Sequence, residues 1–368
     1  LCLGDDVLID IWKGIDKNVE NFFNDLVKWN LNSQYIKGKL MGFIPKVTFP
    51  LFRYDPYPEI TGYGISLFSK LYKMSKNEEY FRRALLASEA IMKLQLPSGC
   101  FKYSLRENSR EMLFDSLMMV NGLLDFYGIS KEEKLLRTIC ITLEKLLKLL
   151  ENFYASDINA PYFHIAKGAI PLIKAYSHLG DNIFLRVAKK LCGFAISRFQ
   201  NEDGGFRLQF NVPKWNRFHY LCYAIEGLIA LESQISTFSD NIKRGAIYLL
   251  NNQRTDGGLW YSFTNEGVSL KNFADNAATA QALRIFLFVF GRTREKRFIT
   301  ASVKALDYLL KRQHKKPGLM CGGLSFGYHP LIDSIVACSW ATQFATDAVM
   351  SFLNLNNVND KKNFTISF

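Results

Sequence analysis

The residues able to move protons recur at matching places along this chain of 368 residues. Glu59, Asp115, Asp275 and Asp333 bring carboxyls, His164 and His219 bring imidazoles, and Lys167 and Arg217 bring cations. A carboxyl pair such as Glu59 with Asp275 or Asp333 suits glycoside hydrolysis, one group protonated and the other ionised. A His–Tyr pair, His219 with Tyr220 or Tyr63, suits proton abstraction beside a uronic carboxylate, the chemistry of lyases and epimerases, with Arg217 or Lys167 neutralising the acid. Tyr220 follows His219 directly and points about 100° away on a helix. Tyr63 lies four residues after Glu59 and shares its helix face, so that pairing is geometrically sounder. The expected catalytic set is Glu59, Tyr63, His219, Asp275 and Asp333. The expected substrate-binding set is Asp115, His164, Lys167, Trp215, Arg217, Tyr220, Trp260, Tyr261, Asn276 and Trp340, the aromatics among them offering faces on which sugar rings stack. A plainer role competes for several of these. Asp115, Asp275 and Asp333 are good helix N-caps, Glu59 after Pro58 looks like a helix start, and a histidine among aromatics is as often a satisfied core residue as a catalytic one.

The elements that must position these groups come from an internal repeat. Phe199-Gln-Asn-Glu-Asp-Gly-Gly-Phe206, Asn252-Gln-Arg-Thr-Asp-Gly-Gly-Leu-Trp260 and Leu94-Gln-Leu-Pro-Ser-Gly-Cys-Phe101 each close one helical pattern and open another, with looser copies at Gln313 and Gln34. The marker glutamines 34, 95, 200, 253 and 313 are 61, 105, 53 and 60 residues apart, and the double interval places an unmarked sixth copy near residue 147. Within each unit an amphipathic helix with a Lys/Arg face precedes an almost uncharged helix rich in small residues, such as 221–228, 274–283 and 334–343. The first kind is an outer helix and the second an inner one. Glycine after each helix accepts the left-handed backbone of a C-terminal cap. Six outer–inner pairs closed in a ring predict an all-α (α/α)6 toroid over residues 1–353, with an Asn- and Lys-rich frayed tail over 354–368. Open solenoids usually have shorter repeats and polar end caps. The ionisable residues fall 19 to 25 positions after the glutamines, at the starts of inner helices, so they converge on one funnel.

The Gln-x-x-Asp-Gly-Gly turns at 200 to 206 and 253 to 260, each running on to an aromatic residue, resemble the repeat turns of terpenoid cyclase and prenyltransferase toroids. The segment Asp55-Pro-Tyr-Pro-Glu-Ile-Thr-Gly-Tyr63, with the repeats after it, more closely resembles the VpsJ-type polysaccharide biosynthesis proteins, through Pro58 to Tyr63. That resemblance implies a role in making or remodelling extracellular polysaccharide and carries no mechanism with it; the lyase, epimerase or hydrolase chemistry expected on a glycan comes from the residues above. An isoprenoid enzyme and a non-catalytic glycan-binding scaffold are the rival expectations. Against the isoprenoid enzyme, the chain has no Asp-x-Asp-Asp and no Asp-x-Cys zinc pair.

Composition narrows the remainder. Ten Pro and 24 Gly disfavour a turn-rich β fold, and no apolar run reaches the length of a membrane span. Seven widely spaced cysteines without a Cys-x-x-Cys pair read as reduced thiols and point to the cytoplasm, although a removed N-terminal signal stays open. His219 and Cys222 share a helix face, but two ligands fall short of a metal site, and no nucleotide-binding loop is present, so no metal or cofactor is expected. The net charge of +12 falls mostly on outer helices and reads as a solvated surface, with basic runs at helix ends where cations suit the dipole rather than nucleic acid. The expected partner is a poly- or oligosaccharide.

Overall fold

Why the helices alternate is visible in their caps and faces. Two outer helices open on side-chain caps: Asn77 accepts the Glu79 amide ahead of two glutamates, and Asp181 accepts the Ile183 amide. Inner helices are buried along almost their whole length, as the residues Asn276 to Phe290 show. Their crowding sets the small-residue content. A Cβ on Gly122 would meet the Gly62 carbonyl oxygen at 2.2 Å, so only glycine lets these two neighbouring inner helices approach so closely.

The computed structural model describes residues 5–37, 40–48, 52–153, 163–207, 215–327 and 330–357. The outer helices are α1 (Asp5–Ser33), α3 (Glu78–Met92), α5 (Glu133–Phe153), α7 (Asn182–Phe199), α9 (Ser239–Asn251) and α11 (Lys296–Arg312). The inner helices are α2 (Pro58–Ser75), α4 (Leu113–Ser130), α6 (Ala169–Leu179, entered through the 3-10 turn Phe163–Gly168), α8 (Phe218–Glu232), α10 (Asn276–Thr293) and α13 (Ser339–Asn357). Between α11 and α13 lies the one-turn helix α12 (Pro330–Asp333). Each inner helix packs on the next, and α13 returns to both α1 and α2, so the ring is closed. This is the expected (α/α)6 toroid.

The glutamine markers stitch the ring together. Gln95, Gln200, Gln253 and Gln313 each donate to the glycine carbonyl of their own turn and to a carbonyl of the next outer helix, Thr138, Asn241, Ala301 and Phe22 respectively. Gln34 reaches the Arg83 carbonyl in the same manner. One side chain therefore satisfies a turn and docks the following hairpin, and the Gln313 to Phe22 bond joins the sixth unit to the first. Gly204 and Gly257 adopt φ of 88° and 94°, as a left-handed cap requires. The unmarked unit runs past the expected position: α5 continues to Phe153, and residues 154–162 are outside the described set. The last helix likewise extends to Asn357, four residues beyond the expected boundary, and 358–368 are outside the described set.

Short antiparallel strands form a collar where inner helices begin. β1 (Gln34–Lys37) pairs with β2 (Leu40–Phe43), β3 (Lys46–Thr48) lies between β4 (Phe52–Arg53) and β8 (Val336–Cys338), and β6 (Leu259–Thr264) lies between β5 (Trp215–Arg217) and β7 (Ser269–Asp275). β5, β7 and β8 run directly into α8, α10 and α13. This corrects one expected inner helix. Residues 336–338 are a strand whose Ala337 opposes Val47, so the helix expected from residue 334 starts only at Ser339.

Candidate active site

The first turns of the inner helices surround a cavity of about 460 Å³. Its walls carry Glu59 from α2, Asp115 from α4, His164 from the 3-10 turn, His219 from α8, Asp275 at the cap of α10 and Trp340 from α13. Arg217, Tyr220 and Tyr223 complete the α8 side, and Met112, Phe114 and Phe326 add apolar wall.

Glu59 faces Asp115 rather than Asp275 or Asp333. Its burial, followed by the nearby Asp115 charge, raises the Glu59 carboxyl to about 8, against the opposing pull of Lys167, Tyr63 and Trp340. Burial also raises Asp115, which accepts a hydrogen bond from the Tyr57 hydroxyl at 2.8 Å. At neutral pH Glu59 is therefore a proton donor. Asp275 is a true N-cap, accepting the Ala278 amide at 3.0 Å, and it also lines the cavity, with burial raising it to about 6. The capping and site roles coincide in this residue.

His219 is held in one form by a chain of contacts. Gln281 donates its amide N–H to Glu226 at 2.9 Å, which turns its carbonyl oxygen toward His219 Nδ1 at 2.6 Å. Nδ1 must then carry the proton, which leaves the Nε2 lone pair as a base. Burial, with Lys167 and Arg217 adding to it, keeps the ring well below its usual range and hence neutral. His164 is held neutral by burial at about 3 and packs against the Phe114 and Tyr220 rings at 5.0 and 4.7 Å.

Several expected residues hold the site without lining the cavity. Tyr63 sits below it, its hydroxyl donating to Tyr223 at 3.1 Å. Lys167 is deeper still, paired with Glu226 at 2.8 Å and 3.7 Å above the Tyr223 ring centre. Tyr261 accepts a hydrogen bond from Arg217 and lies 4.4 Å beneath its guanidinium, fixing that cation at the wall. Asn276 ties the start of α10 to the Ser325 backbone and is no wall residue. Trp260 stacks under Arg254 at 4.3 Å, outside the cavity, and the Trp215 side chain is outside the described residues. Asp333 does not line the cavity: it belongs to α12, six residues before α13 begins, and accepts the Gly327 amide, while its charge adds to the rise of Asp275. Tyr223 and Gln281 were missed by sequence reasoning. Tyr223 is four residues after His219, the same helical spacing that singled out Tyr63.

Below the cavity each inner helix contributes one charged side chain: Lys70, Asp125, Lys174, Glu226, Arg284 and Asp347, alternating in sign around the ring. Lys70 meets Asp347 at 2.9 Å, Arg284 bridges Asp347 and Glu226 at 3.4 Å each, and Lys174 meets Asp125 at 2.7 Å. Among the described residues no three His, Cys, Asp or Glu side chains converge as a metal site, and no helix is long and apolar enough to cross a membrane.

No family model and no curated protein matches the chain. Solved structures do. The cellobiose 2-epimerase of Spirochaeta thermophila DSM 6192 is 13% identical with a TM-score of 0.74, over 96% of this chain and 100% of that one. D-mannose isomerase is 12% identical with a TM-score of 0.72, over 92% and 97%. The unsaturated glucuronyl hydrolase of Bacillus sp. GL1 is 13% identical with a TM-score of 0.68, over 93% and 98%. At this identity the likeness establishes the toroid fold.

Proposed function

We propose that the protein is a carbohydrate-active enzyme that moves protons on a small saccharide or on the terminal sugar of a glycan, in the manner of an epimerase or isomerase. The carrying observation is a buried Glu59 carboxyl, raised to about 8 by burial beside Asp115, and His219 held at Nδ1 by Gln281 with Nε2 left to accept, on the walls of one cavity. A base of this kind takes a proton from the carbon beside a sugar carbonyl, and the acid protonates the carbonyl oxygen. The cavity ends on Tyr63, Tyr223 and the charged layer, so it receives a sugar end rather than the middle of a chain. Six ionisable wall residues support a sugar over an isoprenoid. The shared fold with an epimerase, an isomerase and a glycoside hydrolase supports the same reading. The VpsJ-type resemblance supports a place in extracellular polysaccharide biosynthesis, and buried thiols at Cys100, Cys192, Cys222 and Cys338 fit a reducing, cytoplasmic setting.

A second reading rests on the Glu59 and Asp115 pair: hydrolysis or hydration of a terminal uronic sugar, with Glu59 as acid and Arg217 neutralising the carboxylate. Cellobiose, mannose and glucose are incubated in D2O and followed by proton NMR, while an unsaturated uronyl disaccharide is followed at 232 nm. Exchange at C2, reduced about 10²–10⁴-fold by His219→Asn and by Glu59→Gln, is the expected outcome. Loss of 232 nm absorbance without exchange favours the second reading, and activity untouched in both variants overturns the site.

A further inference from the structure

Tyr223 lies one helical turn after His219 on α8, with the two rings 4.3 Å apart, and both side chains line the cavity. The Tyr223 oxygen accepts a hydrogen bond from the Tyr63 hydroxyl at 3.1 Å, so its own hydrogen is directed elsewhere, and among the described residues no acceptor meets it. The side chain is 2% exposed, and burial followed by the Glu59 charge holds its phenol well above the usual range, so the proton stays on. The Lys167 ammonium stands 3.7 Å from the ring centre and draws electron density from it, which strengthens the O–H as a donor. A buried hydroxyl that accepts from the protein but gives to nothing in it is left to give to a ligand.

We propose that Tyr223 is a catalytic residue, the hydrogen-bond donor to the substrate oxygen on which negative charge builds, with Tyr63 as its positioning residue. The assignment rests on the proton-moving reading above. When His219 Nε2 takes the proton from carbon, the C–H electron pair moves toward the neighbouring carbonyl, whose oxygen becomes an enolate oxygen. The two reacting centres are neighbours in the sugar, as the base and the donor are neighbours on one helix face. Glu59, across the cavity on α2, delivers the proton that completes the enediol, and the return step runs the same transfers in reverse. Tyr223 forms and breaks no covalent bond. A donor already fixed in place stabilises the charge without reorganising as it appears, and the bond from Tyr63 does the fixing.

The test uses the full chain and whichever of cellobiose, mannose or glucose the parent exchanges fastest in D2O. Tyr223→Phe keeps the ring and removes the hydroxyl. The expected result is a kcat about 10²–10³-fold lower with KM changed less than about threefold, since the bond is made only as charge develops. The aldonohydroxamate of that sugar, a mimic of the enediolate, binds Tyr223→Phe about 10²-fold more weakly, whereas binding of the neutral alditol changes less than about threefold. Tyr63→Phe leaves the donor present but unsteadied, lowers kcat about tenfold with the same preference between the two ligands, and carries the test should Tyr223→Phe fold poorly. A kcat within about threefold of the parent in both variants, or hydroxamate and alditol weakened alike, overturns the assignment while leaving the roles of His219 and Glu59 standing. A parent that exchanges none of the three sugars defeats the enzymatic reading and this assignment together.

Discussion

The inner helices carry ionisable residues at two levels, and the levels behave in opposite ways. In the cavity, Glu59, Asp115 and Asp275 form no salt bridge among the described residues, and burial pushes all three up against the weaker pull of Lys167 on Glu59 and Arg217 on Asp275. One level down, Asp347 is also largely enclosed, yet Lys70 and Arg284 hold it below the usual carboxylate range. Similar groups on the same helices thus serve chemistry where they are left unpaired and closure of the ring where they alternate in sign. The difference teaches that position along the inner helix, and not residue type, separates site from scaffold.

The largest test of that division removes Glu226, whose carboxylate accepts from Lys167, Gln281 and Arg284. Glu226→Leu leaves two buried cations short of a partner and lowers stability by about 3–5 kcal/mol in denaturant unfolding. It also frees Gln281, so the His219 tautomer is lost in ¹⁵N NMR spectra. A Glu226→Leu protein as stable as the parent would erase the distinction between the levels.

A substitution in the cavity acts the other way. The folded-state value of Glu59, about 8, lies above its unfolded value near 4.3, so the stability it contributes is complete below pH 4 and is lost as pH rises to about 8. Glu59→Gln removes that slope. The variant unfolds at higher denaturant than the parent at pH 8.5, by roughly 1–3 kcal/mol, while activity falls about 10²–10⁴-fold. The alkaline limb of the parent's pH–rate profile falls near the same pH, since the acid must be protonated. Equal unfolding midpoints across pH 5–9 would remove the unpaired-carboxyl account.

The smallest effect belongs to the glutamine turns. Gln253→Leu breaks two side-chain bonds that dock the fifth hairpin on the sixth, at about 1–2 kcal/mol, with catalysis unchanged. A loss below 0.3 kcal/mol would make the repeated glutamine a turn residue only.

The fold was legible because the glutamine turns have a fixed local cause, a glycine cap and a stitch to the next helix, that any hairpin of the ring must repeat. The site was half legible. Spacing from the glutamines found Glu59, Asp115, His219 and Asp275, since the inner helices start at equal depth. It failed at Asp333 because the 330–338 segment folds as a turn of helix and a strand, placing Trp340 where a carboxyl was expected. Trp260 was misplaced because aromatic residues near a turn look alike whether they face a sugar or an arginine. The charge layer had its own signal, a lone charged residue in mid-helix such as Asp347 in α13, but the partners in the layer lie on other helices, 49 or more residues away.

Ring closure also fixes the order of assembly. Asn30 bonds Thr346 across 316 residues, and the Trp29 indole bonds the Leu319 carbonyl across 290. Contacts of such separation are made last and slowly. A ribosome therefore releases five hairpins with an apolar seam on α1 and α2 still uncovered, and that seam waits on the sixth, which makes the interval before closure the period of greatest exposure to aggregation.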